Sequence, residues 1–156
     1  LSSTHKFPRV VSVQNPYSLI NRTYEVGMAE MSVREKVGLL AYSPLAFGML
    51  TGKYLNGQMP EGSRLKLYSK NFPRYQGTRS QLAVEEYYKI AQKYEMSLTQ
   101  MSLAFVNMQP FVDSNIIGAT NMKQLEENIN SIHIDLSDEI IKDINAIHEN
   151  NPSPAP

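Results

Sequence analysis

Apolar residues along the 156-residue chain form three short continuous runs separated by helix-like stripes and turns. Residues 9–14 contain three valines and precede Asn15-Pro16, which predicts a buried strand ended by a proline that cannot donate to a ladder. Residues 37–42 form a second unbroken run, typical of a parallel strand covered on both faces, and residues 114–118 form a third short strand.

Five other stretches space their apolar residues as amphipathic helices do. They are residues 25–36, 81–93, 98–108, 120–132 and 137–148. Ser97 precedes one of them, and Ser137 followed by two acidic residues precedes another, as expected of helix caps. Residues 44–78 are rich in glycine and proline and predict a long irregular loop, a type of loop that is usually functional.

The order of these elements indicates βαβ units and a parallel sheet. Three strands alone would leave two edges with unpaired backbone groups, so we expect further strands from the rest of a longer polypeptide or from another chain. Leu1 stands where a methionine would begin a gene product, and residues 1–6 have the composition of a connection inside a protein. Both features also predict a piece of a longer protein.

Charge and composition exclude several classes of function. Fifteen basic residues balance fifteen acidic ones, which argues against a nucleic-acid or polybasic membrane partner. No apolar run approaches the roughly 20 residues that a membrane span needs, and the absence of cysteine fits a cytoplasmic location. The three histidines lack the spacing of metal ligands, so no metal site is predicted.

Candidate binding residues lie where the predicted strands end. In a barrel of parallel strands the carboxyl ends carry function, so Gln14, Tyr42 and residues 118–120 would line one mouth. Tyr42 is suited to stack on a planar ring and Gln14 to hydrogen-bond a carboxamide, while Lys53 and Arg64 from the long loop are suited to clamp a phosphate. The alternatives are a core tyrosine, a turn glutamine and solvated basic side chains.

The third strand end has the composition of an anion site. Gly118 permits close backbone approach, and Thr120 and the free N–H groups of the following helix supply donors. Lys123 and Gln124 in the first turn could add donors to a phosphate, and Glu127 with Asn128 could reach a base edge. The alternative is that Thr120 caps its helix and the carboxylate is solvated.

Three motifs occur in the order and separation of one known family. They are residues 13–19 (VQNPYSL), residues 41–48 (AYSPLAFG) followed by LTGKY at 50–54, and GAT at 118–120 with Gln124-Leu125 and Glu127-Asn128. Together they resemble the aldo-keto reductase superfamily, in its branch of bacterial general oxidoreductases and potassium-channel β subunits. The resemblance covers residues 9–150 and is greatest to the bacterial Tas-type reductases, which share the Pro-Ala-Pro ending.

The resemblance implies an α/β fold, a (β/α)₈ TIM barrel with a terminal extra helix. This chain would be its C-terminal part, with the last three strands and their helices, so that residues 1–150 form half of the barrel and residues 151–156 a Pro-rich tail. The N-terminal half of the barrel would pack on these strands. The family's catalytic tetrad of Asp, Tyr, Lys and His would lie upstream, so no catalytic residue is assigned here.

The resemblance also implies that this chain carries the NADP(H)-binding half of the site. Gln14 would hold the nicotinamide carboxamide, and Tyr42 would stack on the nicotinamide ring. The turn after Tyr42 would contact the pyrophosphate region through Ser43, Pro44, Leu45 and Ala46.

The adenosine end of the cofactor is implied to meet the loop and the third strand end. Lys53 and Arg64 would belong to the loop that folds over the cofactor. Gly118, Thr120 and Gln124 would meet the ribose 2′-phosphate, with Glu127 and Asn128 at the adenine. Other branches have Ser and Arg at positions 120 and 124, and an amide binds phosphate less well than a guanidinium does.

The implied activity is NADPH-dependent reduction of small aldehydes or ketones, with hydride from the nicotinamide and a proton from a tyrosine outside this sequence. This portion alone would be inactive. Two alternatives stay open. One is a cofactor-binding regulatory module that serves a partner protein, as in the channel β subunits, and the other is a degenerate half-barrel that dimerises.

Overall fold

The computed structural model describes residues 2–156 apart from the side chain of Ser69, so Leu1 lies outside the described residues. The regular elements, in chain order, are α1 (Ser2–His5), β1 (Ser12–Pro16), α2 (Met28–Glu35), β2 (Gly38–Tyr42), α3 (Arg64–Tyr68), α4 (Thr78–Lys93), α5 (Leu98–Asn107), β3 (Val112–Ile116), α6 (Met122–Asn130) and α7 (Asp138–Asn150). None of these helices is both long and apolar enough to cross a membrane.

The three strands form one parallel sheet, as predicted, and their order in it is β1-β2-β3. Pro16 is in register with Tyr42, and Tyr42 with Ile116, so the carboxyl ends of all three strands meet at one edge. The register shifts by one residue between Leu39 and Leu40, beside Asp113. This parallel arrangement places the ends of β2 and β3 beside each other.

The two faces of the sheet differ in burial. Leu39 and Ala41 are fully buried on one face, whereas Gln14 and Ser114 on the other face are exposed. In a barrel the exposed face would point inward.

The prediction of a buried strand over residues 9–14 is wrong in extent and in burial. The strand begins at Ser12, and Val10 and Val11 precede it with 62% and 76% of their surface exposed. Within residues 2–156 this strand has a neighbouring strand on one side only, because β1 is at the edge of the sheet. The edge position also explains why the strand runs through Pro16 instead of ending before it.

The third strand also differs from its predicted position. It spans Val112–Ile116 and not residues 114–118, because pairing with β2 begins early, with the Leu39 N–H donating to the Phe111 carbonyl at 2.8 Å. Its polar residues Asp113 and Ser114 are exposed, so they do not oppose strand formation. Gly118 consequently lies in the loop after the strand.

Two helix ends agree with the caps predicted for them, and the alternative in which Thr120 caps its helix is wrong. The hydroxyls of Ser97 and Ser137 accept from the backbone N–H groups of Gln100 and Ile140, which confirms both as caps. The cap of α6 is Asn121 and not Thr120, since the Asn121 side chain accepts from Gln124 N. Two adjacent residues with capping side chains make this boundary ambiguous in sequence.

Other helix boundaries move by a few residues. The helix predicted over residues 25–36 is α2, which begins after Gly27 at positive φ and ends at Lys36 in the left-handed conformation. The helix predicted from residue 81 begins at Thr78.

The predicted irregular loop over residues 44–78 contains short helical turns. Besides α3, it forms 3₁₀ turns at Ala46–Thr51, Leu55–Gly57, Ser69–Asn71 and Pro73–Tyr75. Leu65 and Tyr75 from this loop are buried in the core. The loop is therefore anchored to the body of the protein at several points.

Candidate cofactor-binding site

A cavity of about 600 Å³ lies at the carboxyl edge of the sheet. Tyr42 at the end of β2 and Ile116 at the end of β3 form part of its wall. The long loop and the start of α6 complete it. Its volume is within the range of small-molecule and cofactor sites.

Eleven of the thirteen residues expected to bind the cofactor line this cavity. They are Tyr42, Ser43, Pro44, Leu45, Lys53, Arg64, Gly118, Thr120, Gln124, Glu127 and Asn128. Gln14 does not line it and lies exposed on β1, while Ala46 is a buried residue of the turn that follows β2 and does not line it. The structure therefore brings together residues that are more than 80 positions apart in sequence.

The turn after β2 is a strained backbone segment at the cavity wall. Three residues of this turn have positive φ values, a backbone conformation that residues other than glycine seldom adopt. The values are 55° at Ser43, 47° at Ala46 and 61° at Phe47. The Ala46 N–H donates to the Ser43 carbonyl, and the Gly48 N–H donates to the Leu45 carbonyl, both at 2.8 Å. Such strain persists where the surroundings fix the backbone.

Gly48 allows the loop lysine to approach this turn. Its φ is 96°, and a Cβ there would lie 2.8 Å from Lys53 Cε and 2.9 Å from Nζ. Glycine therefore leaves the space that the Lys53 side chain occupies. The Lys53 ammonium also lies 5.2 Å from the centroid of the Tyr54 ring.

Two cations of the cavity wall have no carboxylate partner in the part of the chain that the structure describes. Neither Lys53 nor Arg64 belongs to any of its ion pairs. The Arg64 guanidinium lies 5.5 Å from the centroid of the Phe47 ring, and its Nη2 would be 3.7 Å from a Cβ built on Gly118. Arg64 thus extends from the turn after β2 to the loop after β3. The positive charges of Lys53 and Arg64 are both available to an anion.

Ser63 supplies an unsatisfied hydroxyl to the same wall. Its residue surface is 7% exposed, and Oγ has no hydrogen-bond partner among residues 2–156. Buried hydroxyls are normally hydrogen-bonded, because burial without a partner costs free energy. A ligand oxygen in the cavity would satisfy this group.

At the opposite wall, Thr120 orients the Gln124 side chain. The Thr120 N–H and hydroxyl both donate to Gln124 Oε1 at 2.9 Å. The Gln124 amide oxygen is thereby occupied, which leaves its NH₂ group as the donor available to a ligand.

Glu127 and Asn128 are held by residues outside their own helix. The Ser97 hydroxyl donates to Glu127 Oε1 at 2.6 Å, so the carboxylate is not simply solvated. Asn128 Nδ2 donates to the Gly118 carbonyl at 3.2 Å and fixes the loop after β3. One Glu127 oxygen remains to accept from a ligand N–H.

Sequence reasoning missed several residues of the cavity wall. Ser97 and Thr99 line it, although their sequence context indicated only a helix start. Phe47 belongs to the AYSPLAFG motif without a predicted role, and Ser63 is indicated only by its position next to Arg64. Their roles depend on tertiary packing.

The buried groups with shifted pKa values lie away from the cavity. Arg22 binds Glu25 through two contacts of 2.6 and 2.8 Å, and the Tyr17 hydroxyl donates to Glu25 at 2.5 Å. Burial raises the pKa of Tyr17, with Glu25 adding to the rise. Burial opposes ionisation of Glu25, but hydrogen bonds from Arg22 and Tyr17 hold its pKa below the ordinary value. This cluster fixes the segment after β1.

His148 on α7 faces the same cluster. Burial and the Arg22 charge lower its pKa, against the opposing carboxylates of Glu25 and Glu149. Its Nδ1 is buried without a hydrogen-bond partner in the described chain. Residues 2–156 contain no group of three histidine or acidic side chains that could hold a metal ion.

Comparisons with known proteins identify the family. The chain is 52% identical to "Protein tas" of Escherichia coli over all 156 residues, which are 45% of that protein. It is 38% identical to an aldo-keto reductase of Babesia bovis over 144 residues, which cover 88% of this chain and 50% of that one. The chain thus spans half or less of the length of these relatives.

A solved structure confirms the predicted fold class. The glycerol dehydrogenase of Gluconobacter oxydans matches 96% of this chain and 45% of its own with a TM-score of 0.76, at 24% identity. The three parallel strands and their helices therefore share the fold of part of that structure. The model of the Aldo/keto reductase family matches residues 1–149, and the chain belongs to that family.

Proposed function

We propose that the full-length protein is an NADP(H)-dependent aldo-keto reductase that reduces small aldehydes or ketones. In this proposal residues 1–150 are the C-terminal, cofactor-binding half of the barrel, and the catalytic tetrad lies in the N-terminal half. The observation that carries it is the cavity in which eleven of the thirteen expected cofactor ligands meet. This portion alone would bind without turning over substrate.

The donors of the cavity fit a phosphorylated dinucleotide. Lys53 and Arg64 offer positive charge without a carboxylate partner in the described chain, and Ser63 and Gln124 offer neutral donors. Phosphate oxygens accept such donors strongly, and charged donors give the stronger bonds. The apolar and aromatic wall suits the rings of the same cofactor.

Each part of the wall has a role in this proposal. Tyr42 orients the nicotinamide ring by stacking, and Ser43 to Leu45 hold the pyrophosphate. Lys53 and Arg64 close over the phosphates, while Glu127 contacts the adenine. The bound nicotinamide supplies the hydride for the carbonyl carbon, and the residues of this chain contribute orientation and phosphate anchoring.

The preference for NADP over NAD depends on the wall around Gln124. Its NH₂ group, oriented by Thr120, is a donor to a 2′-phosphate, and it is weaker than a guanidinium because it carries no charge. We therefore expect NADPH to bind more tightly than NADH. The ratio of the two dissociation constants should be smaller than an arginine at position 124 would give.

The test is a fluorescence titration of the full-length protein with NADPH and NADH. Tyr42→Ala should raise both dissociation constants, and Gln124→Ala should raise that of NADPH more. Lys123→Ala is a matched control, because Lys123 is on the same helical turn but does not line the cavity. Unchanged NADPH binding in both cavity variants would contradict the proposal.

Turnover then distinguishes the remaining alternatives. Steady NADPH oxidation with a panel of aldehydes and ketones would support the reductase. Tight NADPH binding without turnover of any panel member would favour the regulatory module over the enzyme.

A further inference from the structure

The last residues of the chain, Asn151–Pro156, are packed against the body of the protein; we refer to them as the closing segment. Ala155 is fully buried, and its N–H donates to the Ile20 carbonyl at 3.0 Å. The Ser153 hydroxyl accepts from the Arg22 N–H at 3.1 Å. The closing segment is therefore held by hydrogen bonds at more than one point, and one of its side chains is buried.

The closing segment also contacts the loop that borders the cavity. Ser80 Oγ, itself fully buried, lies 3.0 Å from the Pro154 carbonyl and 2.9 Å from the Arg74 carbonyl. Arg74 Nη1 donates to the Pro156 carbonyl at 3.2 Å, and its Nη2 donates to the Tyr75 hydroxyl at 3.1 Å. Arg74 thus connects the closing segment with Tyr75.

Tyr75 in turn supports the strained turn of the cavity wall. Its ring stacks on Phe47 with 5.9 Å between centroids and 7° between planes, and Phe72 packs on Phe47 at 4.1 Å. Phe47 lines the cavity at a φ of 61° and carries the Arg64 guanidinium over its ring. A backbone in this conformation needs tertiary contacts to hold it.

We propose that the closing segment positions the Phe47 turn, and with it one wall of the cavity, through Arg74 and Tyr75. Arg74 is then a positioning residue, since its contacts are with protein groups and not with the cavity. The consequence for NADP(H) rests on the proposed function, whereas the consequence for the turn itself does not. Loss of these contacts releases the turn and weakens ligand binding.

The first test measures hydrogen exchange of residues 43–54 in the full-length protein without ligand. Arg74→Ala removes the link, and Ala155→Asp expels the closing segment, because a buried unpaired carboxylate is costly. In both variants the backbone amides of residues 43–54 should exchange several-fold faster than in wild type. Arg79→Ala is the control, since Arg79 binds the same closing segment at Asn151 and Pro152 but does not contact the aromatic rings.

Unchanged exchange in Arg74→Ala would overturn the proposal, and so would equal acceleration in Arg79→Ala. Arg74→Ala decides the outcome alone if Ala155→Asp does not fold. A further check uses Phe47→Leu, in which Arg74→Ala should add little acceleration, because the ring that Tyr75 supports is already gone. Additive accelerations of exchange in the double variant would contradict the proposed series of contacts from Arg74 through Tyr75 to Phe47.

The second test measures the NADPH dissociation constant of the same variants. It should rise several-fold in Arg74→Ala and stay at the wild-type value in Arg79→Ala. If wild type binds no NADPH, the proposed function fails, and the exchange measurement still decides the role of the closing segment. If wild type binds and Arg74→Ala binds equally well, the closing segment has no effect on the site.

Discussion

At the scale of single residues, the Ser63 hydroxyl gives the most direct test of what the cavity binds. It is buried, lines the cavity and lacks a partner among the described residues. Ser63→Ala should leave protein stability unchanged or slightly raised, because removing an unsatisfied buried hydroxyl has no folded-state cost. It should weaken NADPH binding about tenfold if the hydroxyl donates to a phosphate oxygen.

Titration with NADPH and thermal unfolding of the same full-length protein check this prediction. Ser3→Ala is the control, because Ser3 is exposed and does not line the cavity. A stability loss with unchanged binding would show that Ser63 has a structural partner instead of a ligand.

At the scale of elements, a glycine of β2 leaves space for a side chain of β3. A Cβ on Gly38 would lie 1.8 Å from Asp113 Oδ2 and 1.9 Å from its Cγ. The Asp113 side chain therefore occupies the space that any side chain at position 38 would need. Gly38→Ala forces Asp113 to move beside the irregular register.

We expect Gly38→Ala to destabilise the full-length protein by less than the roughly 1–3 kcal/mol typical of overpacking in a core, because the exposed Asp113 side chain can rotate away. Asp113→Gly should destabilise the Gly38→Ala variant less than it destabilises wild type, because it removes the clash, and urea unfolding of all four proteins would measure the difference as a coupling energy. Additive losses would mean that the two residues do not compete for the same space.

Much of the element order could be predicted because its signals are local. Ser97 and Ser137 cap their helices through groups three residues away, and the apolar run before Tyr42 forms the central strand. The start of β1 could not be predicted, because Val10 and Val11 are apolar but remain exposed in the structure of residues 2–156. Burial of a strand depends on partners that periodicity does not specify.

The candidate site was predictable where topology alone places residues. Parallel strands bring Tyr42 and the loop at Gly118 to one edge whatever the side-chain details. The orientation of Gln124 by Thr120, the link from Ser97 to Glu127 and the unsatisfied Ser63 hydroxyl depend on distances between distant segments. A single sequence does not contain those distances.

At the scale of the whole molecule, stability should depend on pH through His148. Its pKa is lowered in the folded state from the ordinary 6.5, by burial and by Arg22, so the unfolded chain takes up the proton first. This contribution to the unfolding free energy is fully present above pH 6.5 and is lost as pH falls from that value through the lowered folded-state pKa. Glu25 acts at lower pH, because its pKa lies below the ordinary 4.5.

Urea unfolding of the full-length protein from pH 8 to pH 5 measures this dependence. His148→Gln should flatten the decline around pH 6.5, whereas His133→Gln should keep it, because His133 is exposed on a different turn. An unchanged slope in His148→Gln would show that protonation of this residue is not linked to unfolding.

The exposed sheet face predicts how residues 1–156 behave without the rest of the barrel. Gln14, Ser114 and Ile116 are uncovered on that face, and β1 and β3 are the two edges of the sheet in residues 2–156. Unpaired edges bind other strands, so residues 1–156 produced alone should associate and should not remain monomeric. Light scattering across a concentration series measures this, and co-production with the proposed N-terminal half should replace the association by a 1:1 complex.

A defined dimer that unfolds cooperatively would instead support the half-barrel alternative, in which a second copy covers the same face. A cooperatively folded monomer would contradict both, because it would show that this face is stable in water.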